Sequence, residues 1–141
     1  MSAASEQNAD PLVMKALIIR EPWIDRILAG DKTWEMRSRT WKHTGPLALI
    51  RAGSKQVVGM ARMVNCRTAI TDAVEFAKAE RFHAILPSEQ ADAFRAGWTT
   101  PWVLAEMRRL DRPVPYAHTS QVDRVNLQPD EAAKVLAQLR P

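Results

Sequence analysis

The chain has 141 residues, 46% hydrophobic and 26% charged, which is typical of one globular domain that buries its own core. Its single cysteine, Cys66, excludes an internal disulfide and a metal site built on paired cysteines, and it favours a reducing compartment such as the cytoplasm. Charged residues interrupt every apolar stretch before it reaches the roughly 18 residues that a membrane helix needs. We therefore expect a soluble protein without a membrane partner.

The net charge of +4 is distributed unevenly along the chain. Residues 15–67 hold eleven Lys and Arg against four Asp and Glu, a balance of +7, whereas the segments on either side are slightly acidic. Basic charge concentrated in this way attracts polyanions such as RNA, although a solvated face of a basic protein gives the same count.

The first predicted elements follow a tail, residues 1–13, that has neither a basic start nor an apolar run and so is not a secretory signal. Residues 14–20 are apolar and β-branched and predict a buried strand. The run PWIDRILA predicts a helix, because Pro22 suits the first helical position. The next run, KTWEMRS, alternates with period two and predicts a second strand.

The middle of the chain predicts a loop and a hairpin. Residues 38–45 are polar and end in glycine, which is typical of a loop. Two apolar runs, 46–53 and 56–66, follow with a glycine-containing turn between them and predict paired strands. Residues 71–82 predict a helix with Thr71 as its N-cap.

The last third predicts one more helix and two more strands. A helix is expected from Ser88, as its cap, to Ala96. Residues 101–110 predict a strand, 112–116 a proline-stiffened turn, and 122–128 a final alternating strand.

Six strand-like runs, with helices after the first, fourth and last, do not form a regular β-α-β alternation. The predicted fold class is therefore α+β: a small, bent mixed β-sheet or β-barrel with flanking helices. Residues 129–141 predict a C-terminal helix packed on the same domain.

The octapeptide GDKTWEMR carries the most distinctive chemistry of the chain. Glu35 and Arg37 share a strand face and can form a hydrogen-bonded pair, and Lys32 can reach the same mouth. A neighbouring arginine and partial burial would lower the pKa of Lys32 and help it act as a base. The alternative is an ordinary surface ion pair. We expect Lys32 to lie outside the core, so that Lys32→Ala changes stability by about half a kcal/mol or less.

Basic side chains interleaved with aromatic ones can hold phosphates while bases stack on the rings. The predicted nucleic-acid-binding residues are Arg20, Trp23, Arg39, Trp41, Lys42 and Arg51. Trp41 is the preferred stacking residue because it lies in a polar loop, whereas Trp34, Trp98 and Trp102 are expected to pack in the core. The spacing of the three histidines indicates no metal site, and we predict no cofactor.

Residues 16–53 resemble the ASCH domain, the activating-signal-cointegrator homology family of the PUA-like superfamily. The family pattern has a strand ending in Arg, a Pro-Trp helix, Gly-x-Lys-x-x-Glu-x-Arg, and a loop into Gly-Pro-Leu. The matching residues are Arg20, Pro22, Trp23, Gly30, Lys32, Glu35, Arg37, Gly45 and Pro46. Residues 102–129 are also similar to the family, so the resemblance covers about residues 14–128.

The resemblance implies a β-barrel-like fold with a cleft lined by the Gly-x-Lys-x-x-Glu-x-Arg residues and a role in RNA metabolism. Some family members hydrolyse N4-acetylcytidine with a lysine, a threonine three residues later and a glutamate from a following helix, whereas others are ribonucleases or nucleic-acid binders. Lys32 matches the lysine, but Glu35 stands at the threonine position. Glu75 and Glu80 are both candidates for the helix glutamate.

Two functional hypotheses follow, and a protein-interaction domain is a third. The first is a module that binds RNA or a modified nucleoside in a basic cleft. The second is a hydrolase, an amidohydrolase on N4-acetylcytidine or a ribonuclease, in which Lys32 activates water, Glu35 relays the proton and Arg37 stabilises the oxyanion.

Overall fold

The computed structural model of the chain describes residues 13–117 and 123–139. The predicted tail, apart from Val13, lies outside the described residues, as do residues 118–122 and 140–141. In chain order the elements are β1 (Met14–Ile19), α1 (Trp23–Leu28), β2 (Trp34–Arg37), β3 (Gly45–Arg51), β4 (Gln56–Cys66), α2 (Ala73–Lys78), α3 (Glu80–His83), α4 (Pro87–Arg95), β5 (Thr100–Pro115), β6 (Arg124–Leu127) and α5 (Pro129–Ala137).

The six strands form one mixed sheet in the order β2-β5-β4-β3-β1-β6. The β1 and β3 strands pair in parallel, and the other neighbours pair antiparallel. The predicted α+β class with a bent mixed sheet is therefore confirmed. Within the described residues the sheet does not close into a barrel, and β2 and β6 form its two edges.

Both faces of the sheet are buried, so neighbouring residues of one strand pack on opposite sides. In β1, Ala16 belongs to the cluster that includes Val135 of α5, whereas Leu17 belongs to the cluster that includes Ile24 of α1. The C-terminal helix thus packs on the same sheet, while the domain boundaries at residues 14 and 128 remain predictions. Helix α1 lies close to β4 because Gly59 has no side chain, and a Cβ there would overlap Leu28.

The prediction of a turn over residues 112–116 is wrong, because β5 continues through both prolines to Pro115. Beyond Leu104, whose backbone N–H still donates to the carbonyl of Thr33, β5 pairs only with β4, because β2 begins opposite Val103. The outer edge of β5 therefore faces no partner strand at Pro113 and Pro115. Proline, which lacks the backbone N–H donor, is tolerated on such an unpaired edge.

The predicted helix caps were misplaced. Asp72, not Thr71, caps α2, and its carboxylate accepts a hydrogen bond from the backbone N–H of Val74 at 2.7 Å. Ser88 lies inside α4, which begins with Pro87 in the first turn and has Leu86 at the cap position. Proline lacks a backbone N–H, so α4 has one unsatisfied donor fewer in its first turn. The helix forms without a side-chain cap.

Candidate functional site

A cavity of about 770 Å³ lies between β2 at one edge of the sheet and the β1–β6 edge at the other, and α4 forms a further wall. We refer to this cavity as the cleft. The charged and aromatic residues that line it are Arg20, Trp23, Lys32, Glu35, Arg37, Glu89, Asp92, Trp98 and Asp123. The three residues predicted to act in catalysis therefore meet in one cavity.

Lys32 reaches the cleft from a buried position, with 1% of its surface exposed. Its Nζ donates a hydrogen bond to the backbone oxygen of His83 at 2.6 Å and lies 4.9 Å from the centre of the Trp23 ring. The prediction that Lys32 stays outside the core is wrong, because the turn after α1 runs against α3. There Thr33 donates its backbone N–H to the carbonyl of Phe82 at 3.0 Å.

Burial lowers the pKa of the Lys32 ammonium from 10.5 to about 8. The carboxylate of Glu35 acts in the opposite direction, and the guanidinium groups of Arg26 and Arg37 lower this pKa further. At neutral pH roughly one Lys32 side chain in ten is then uncharged. Lys32 can therefore accept a proton under conditions in which an exposed lysine cannot.

Glu35 and Arg37 form the predicted pair, with Arg37 Nε donating to Glu35 Oε2 at 2.8 Å. Glu35 is only 6% exposed, so the alternative of an ordinary surface ion pair does not hold. Arg37 also donates to the carbonyl of Ile18 at 3.1 Å and to the carboxylate of Asp123. Arg37 thus joins the two edges of the open sheet. Because these bonds use N–H groups at all three of its nitrogens, only the remaining N–H groups can reach a ligand in the cleft.

Two of the predicted nucleic-acid-binding residues, Arg20 and Trp23, line the cleft. The Arg20 side chain is exposed and has no hydrogen bond or ion pair to any residue in 13–117 or 123–139. An unpaired guanidinium at a cavity is available for an anionic group of a ligand.

The other four predicted binding residues do not line the cleft. Arg39 and Lys42 are exposed on the loop that follows Ser38, which does line it. Trp41 is half-buried, with its ring 5.1 Å from that of Trp102.

The guanidinium of Arg51 is occupied by two carboxylates. It contacts Asp25 through two hydrogen bonds of 2.7 and 3.1 Å and Glu21 through a third of 2.9 Å. The hydrogen bond from Arg51 lowers the pKa of the Asp25 carboxyl. A phosphate would have to displace these carboxylates to bind Arg51.

Sequence reasoning missed four charged or aromatic cleft residues: Glu89 and Asp92 within α4, Trp98 after it, and Asp123 before β6. Trp98, expected in the core, is 44% exposed and lines the cleft. Glu89 lines the cleft as well, whereas neither candidate helix glutamate, Glu75 or Glu80, does. The Glu75 carboxylate forms an ion pair with the Lys78 ammonium at 3.6 Å, and the Glu80 carboxylate accepts a hydrogen bond from the Gln90 side chain. The local sequence contains no signal for the exposure of Trp98, because Trp98 and the buried Trp102 flank the same Thr-Thr-Pro sequence.

Among the described residues, no group of His, Cys, Asp and Glu could hold a metal ion. No helix in residues 13–117 and 123–139 has the length and apolar character needed to span a bilayer.

A model of the ASCH domain family matches residues 17–114, which is more than half of the 141 residues. The chain belongs to the ASCH domain family. This ASCH domain is similar to the crystal structure of ASCH from Zymomonas mobilis, at 17% identity and a TM-score of 0.68 over 88% of this chain and 94% of that one. Two mutant structures of the Zymomonas protein are 16% identical over 88% of this chain, with coverage of 96% and 94% of theirs and TM-scores of 0.67 and 0.66. No curated protein sequence matches.

Proposed function

We propose that this ASCH domain binds single-stranded RNA in the cytoplasm and takes one unpaired nucleotide, or a free nucleoside of the same chemistry, into the cleft. The observation that carries the proposal is that Arg20, whose side chain has no hydrogen bond or ion pair to another described residue, lines the same cavity as the exposed ring of Trp98. Its volume of about 770 Å³ lies in the range of small-ligand sites. RNA binding is general in the ASCH family, which supports the same conclusion.

The chemistry of the cleft suits a nucleotide because it combines an anion contact with an aromatic surface. Arg20 can hold a phosphate, and the rings of Trp23 and Trp98 can stack on a base. Glu89 adds a carboxylate without a hydrogen bond or ion pair to other described residues, which can accept a hydrogen bond from an amino group of the base. Arg39 and Lys42, exposed on the adjoining loop, can contact phosphates of the strand outside the cleft.

A salt titration with a short single-stranded RNA tests the electrostatic part of this proposal. We expect the logarithm of the association constant to fall linearly with the logarithm of salt concentration, because binding releases counterions from the RNA. Replacing Arg39 and Lys42 together by alanine should reduce the slope by about 1 to 2 and weaken binding to all sequences alike.

The matched control replaces Arg62 and Lys78, which are exposed, paired with carboxylates and outside the cleft lining. That variant should bind as the wild type does. The proposal fails if the wild type does not bind at low salt, or if its affinity does not change as salt rises.

Hydrolysis is the second candidate, and the pKa of about 8 at buried Lys32 is the observation that favours it. In this mechanism neutral Lys32 takes a proton from water, the resulting hydroxide attacks the acetyl carbon of N4-acetylcytidine, and cytidine leaves as acetate forms. Glu35 relays the proton to the leaving nitrogen, and a free N–H of Arg37 stabilises the oxyanion.

Incubation with N4-acetylcytidine should then release cytidine and acetate, and Lys32→Met should abolish the release. Short RNA serves as the second substrate, because a ribonuclease would yield fragments instead. If neither substrate is turned over, the cleft is a binding site only.

A further inference from the structure

His83 is a fully buried histidine at the end of α3, and both of its ring nitrogens are hydrogen-bonded. Nε2 lies 2.7 Å from the carbonyl oxygen of Phe76, and Nδ1 accepts the backbone N–H of Ile85 at 2.9 Å. A carbonyl can only accept and an N–H can only donate, so these partners require the neutral ring with its proton on Nε2. Burial lowers the pKa of His83, which also favours the neutral ring.

The backbone around His83 holds the two cations that lie next to Trp23. The carbonyl of His83 accepts the Lys32 ammonium at 2.6 Å, and the carbonyl of Ala84 accepts Arg26 at 2.8 Å. Both cations lie about 5 Å from the Trp23 ring, at 4.9 and 5.1 Å. Residues 83–85, which we call the 83–85 turn, therefore fix the positions of the Lys32 and Arg26 side chains beside Trp23.

The imidazole of His83 stabilises the 83–85 turn, which contains an unfavourable backbone conformation. Ala84 has a φ of +57°, in the left-handed region that residues with a Cβ rarely adopt. The bond from Ile85 N–H to Nδ1 connects a side chain to the backbone two residues on, the pattern by which Asn and Asp form an Asx turn. Without that bond, the left-handed residue has less to hold it in place.

We propose that His83 is a positioning residue for Lys32: its neutral imidazole fixes the 83–85 turn, and the turn presents the carbonyl that holds the lysine ammonium at the cleft. The inference rests on the proposed function only in assigning Lys32 to the ligand site. The charged groups that act on Lys32 are Glu35, Arg26 and Arg37, and those that act on His83 are Lys32 and Glu80.

The test measures the titration of the Lys32 side chain in the full chain without any ligand. The protein is labelled with ¹³C-lysine, its Cε signals are followed by NMR, and the Lys32 signal is identified by its loss in Lys32→Met. In the wild type we expect a pKa near 8 instead of the ordinary 10.5. His83→Leu removes both ring bonds, so Lys32 should move toward solvent and its pKa should rise toward 10.5.

Two conservative variants keep the test decisive if His83→Leu does not fold. In His83→Asn the side-chain oxygen can accept the Ile85 N–H, so Lys32 should titrate as in the wild type. In His83→Gln the longer side chain can reach Phe76 O but does not form an Asx-type turn, so the pKa of Lys32 should rise. His43→Leu, on the loop after β2, is the control and should leave Lys32 unchanged.

A role for His83 in folding alone would lower the melting temperature of these variants and leave the Lys32 pKa of the folded protein at its wild-type value. That outcome, or equal Lys32 titrations in His83→Asn and His83→Gln, would overturn the inference. The measurement contains no RNA, so failure to bind RNA would contradict the proposed function and leave this result standing.

Discussion

Replacing Lys32 by alanine is expected to lower the free energy of unfolding by about 2–4 kcal/mol. The side chain is 1% exposed, so its removal leaves a cavity next to Trp23 and an unpaired carbonyl at His83. Lys32→Met fills most of the same space and removes a buried charge, which offsets the loss of the hydrogen bond. We therefore expect Lys32→Met to be close to the wild type at neutral pH in urea denaturation, and clearly more stable than Lys32→Ala.

The pH dependence of stability separates this explanation from a simple packing defect. The Lys32 pKa is about 8 in the folded protein and 10.5 in the unfolded chain, so the unfolded state binds more protons between those values. Stability of the wild type should therefore rise relative to Lys32→Met as pH increases from about 8 to about 10.5, by about 3 kcal/mol in total. Parallel stability curves for the two proteins over this range would show that Lys32 is not held in a desolvated site.

Replacing Trp98 by alanine is expected to weaken binding of single-stranded RNA by about 1–3 kcal/mol, or roughly 5- to 150-fold. Trp98 is 44% exposed at the cleft, so its ring is accessible for a base to stack on, and the loss of core packing is small. Fluorescence anisotropy of a labelled RNA gives the affinity, and thermal denaturation gives the stability.

Trp41→Ala is the matched control for Trp98→Ala. Its ring packs on Trp102, so we expect this variant to lose stability more than affinity. This differs from the sequence-based preference for Trp41 as the stacking residue. If Trp41→Ala weakens RNA binding and Trp98→Ala does not, the loop after β2 is the binding surface and the cleft is not.

Local patterns were sufficient for most elements of the fold. The β-branched run of β1, the Pro-Trp sequence at the start of α1 and the glycine-containing turn between β3 and β4 each specify their structure through residues close in sequence, although Pro22 is the N-cap of α1 and not its predicted first residue. The extension of β5 through Pro113 could not be predicted in this way. It depends on β2 beginning opposite Val103, which leaves the outer edge of β5 without a partner strand over its C-terminal half.

The site shows the same division between local and long-range information. The pairing of Glu35 with Arg37 follows from their position on one strand face, and it could be predicted. The burial of Lys32 depends on α3 packing against the turn after α1, some fifty residues away in the chain. The approach of Glu89 to the cleft depends in turn on where α4 docks, and no pattern within α4 specifies that.

The five tryptophans of the chain provide the most direct test of RNA binding in the cleft. Each indole N–H gives its own signal in a ¹H–¹⁵N NMR spectrum, and single Trp→Phe variants assign the signals. When a short single-stranded RNA is added, the signals of Trp23 and Trp98 should shift together, whereas that of the buried Trp34 should move little. A shift confined to Trp41, or binding that leaves Trp23 and Trp98 unchanged, would contradict RNA binding in the cleft.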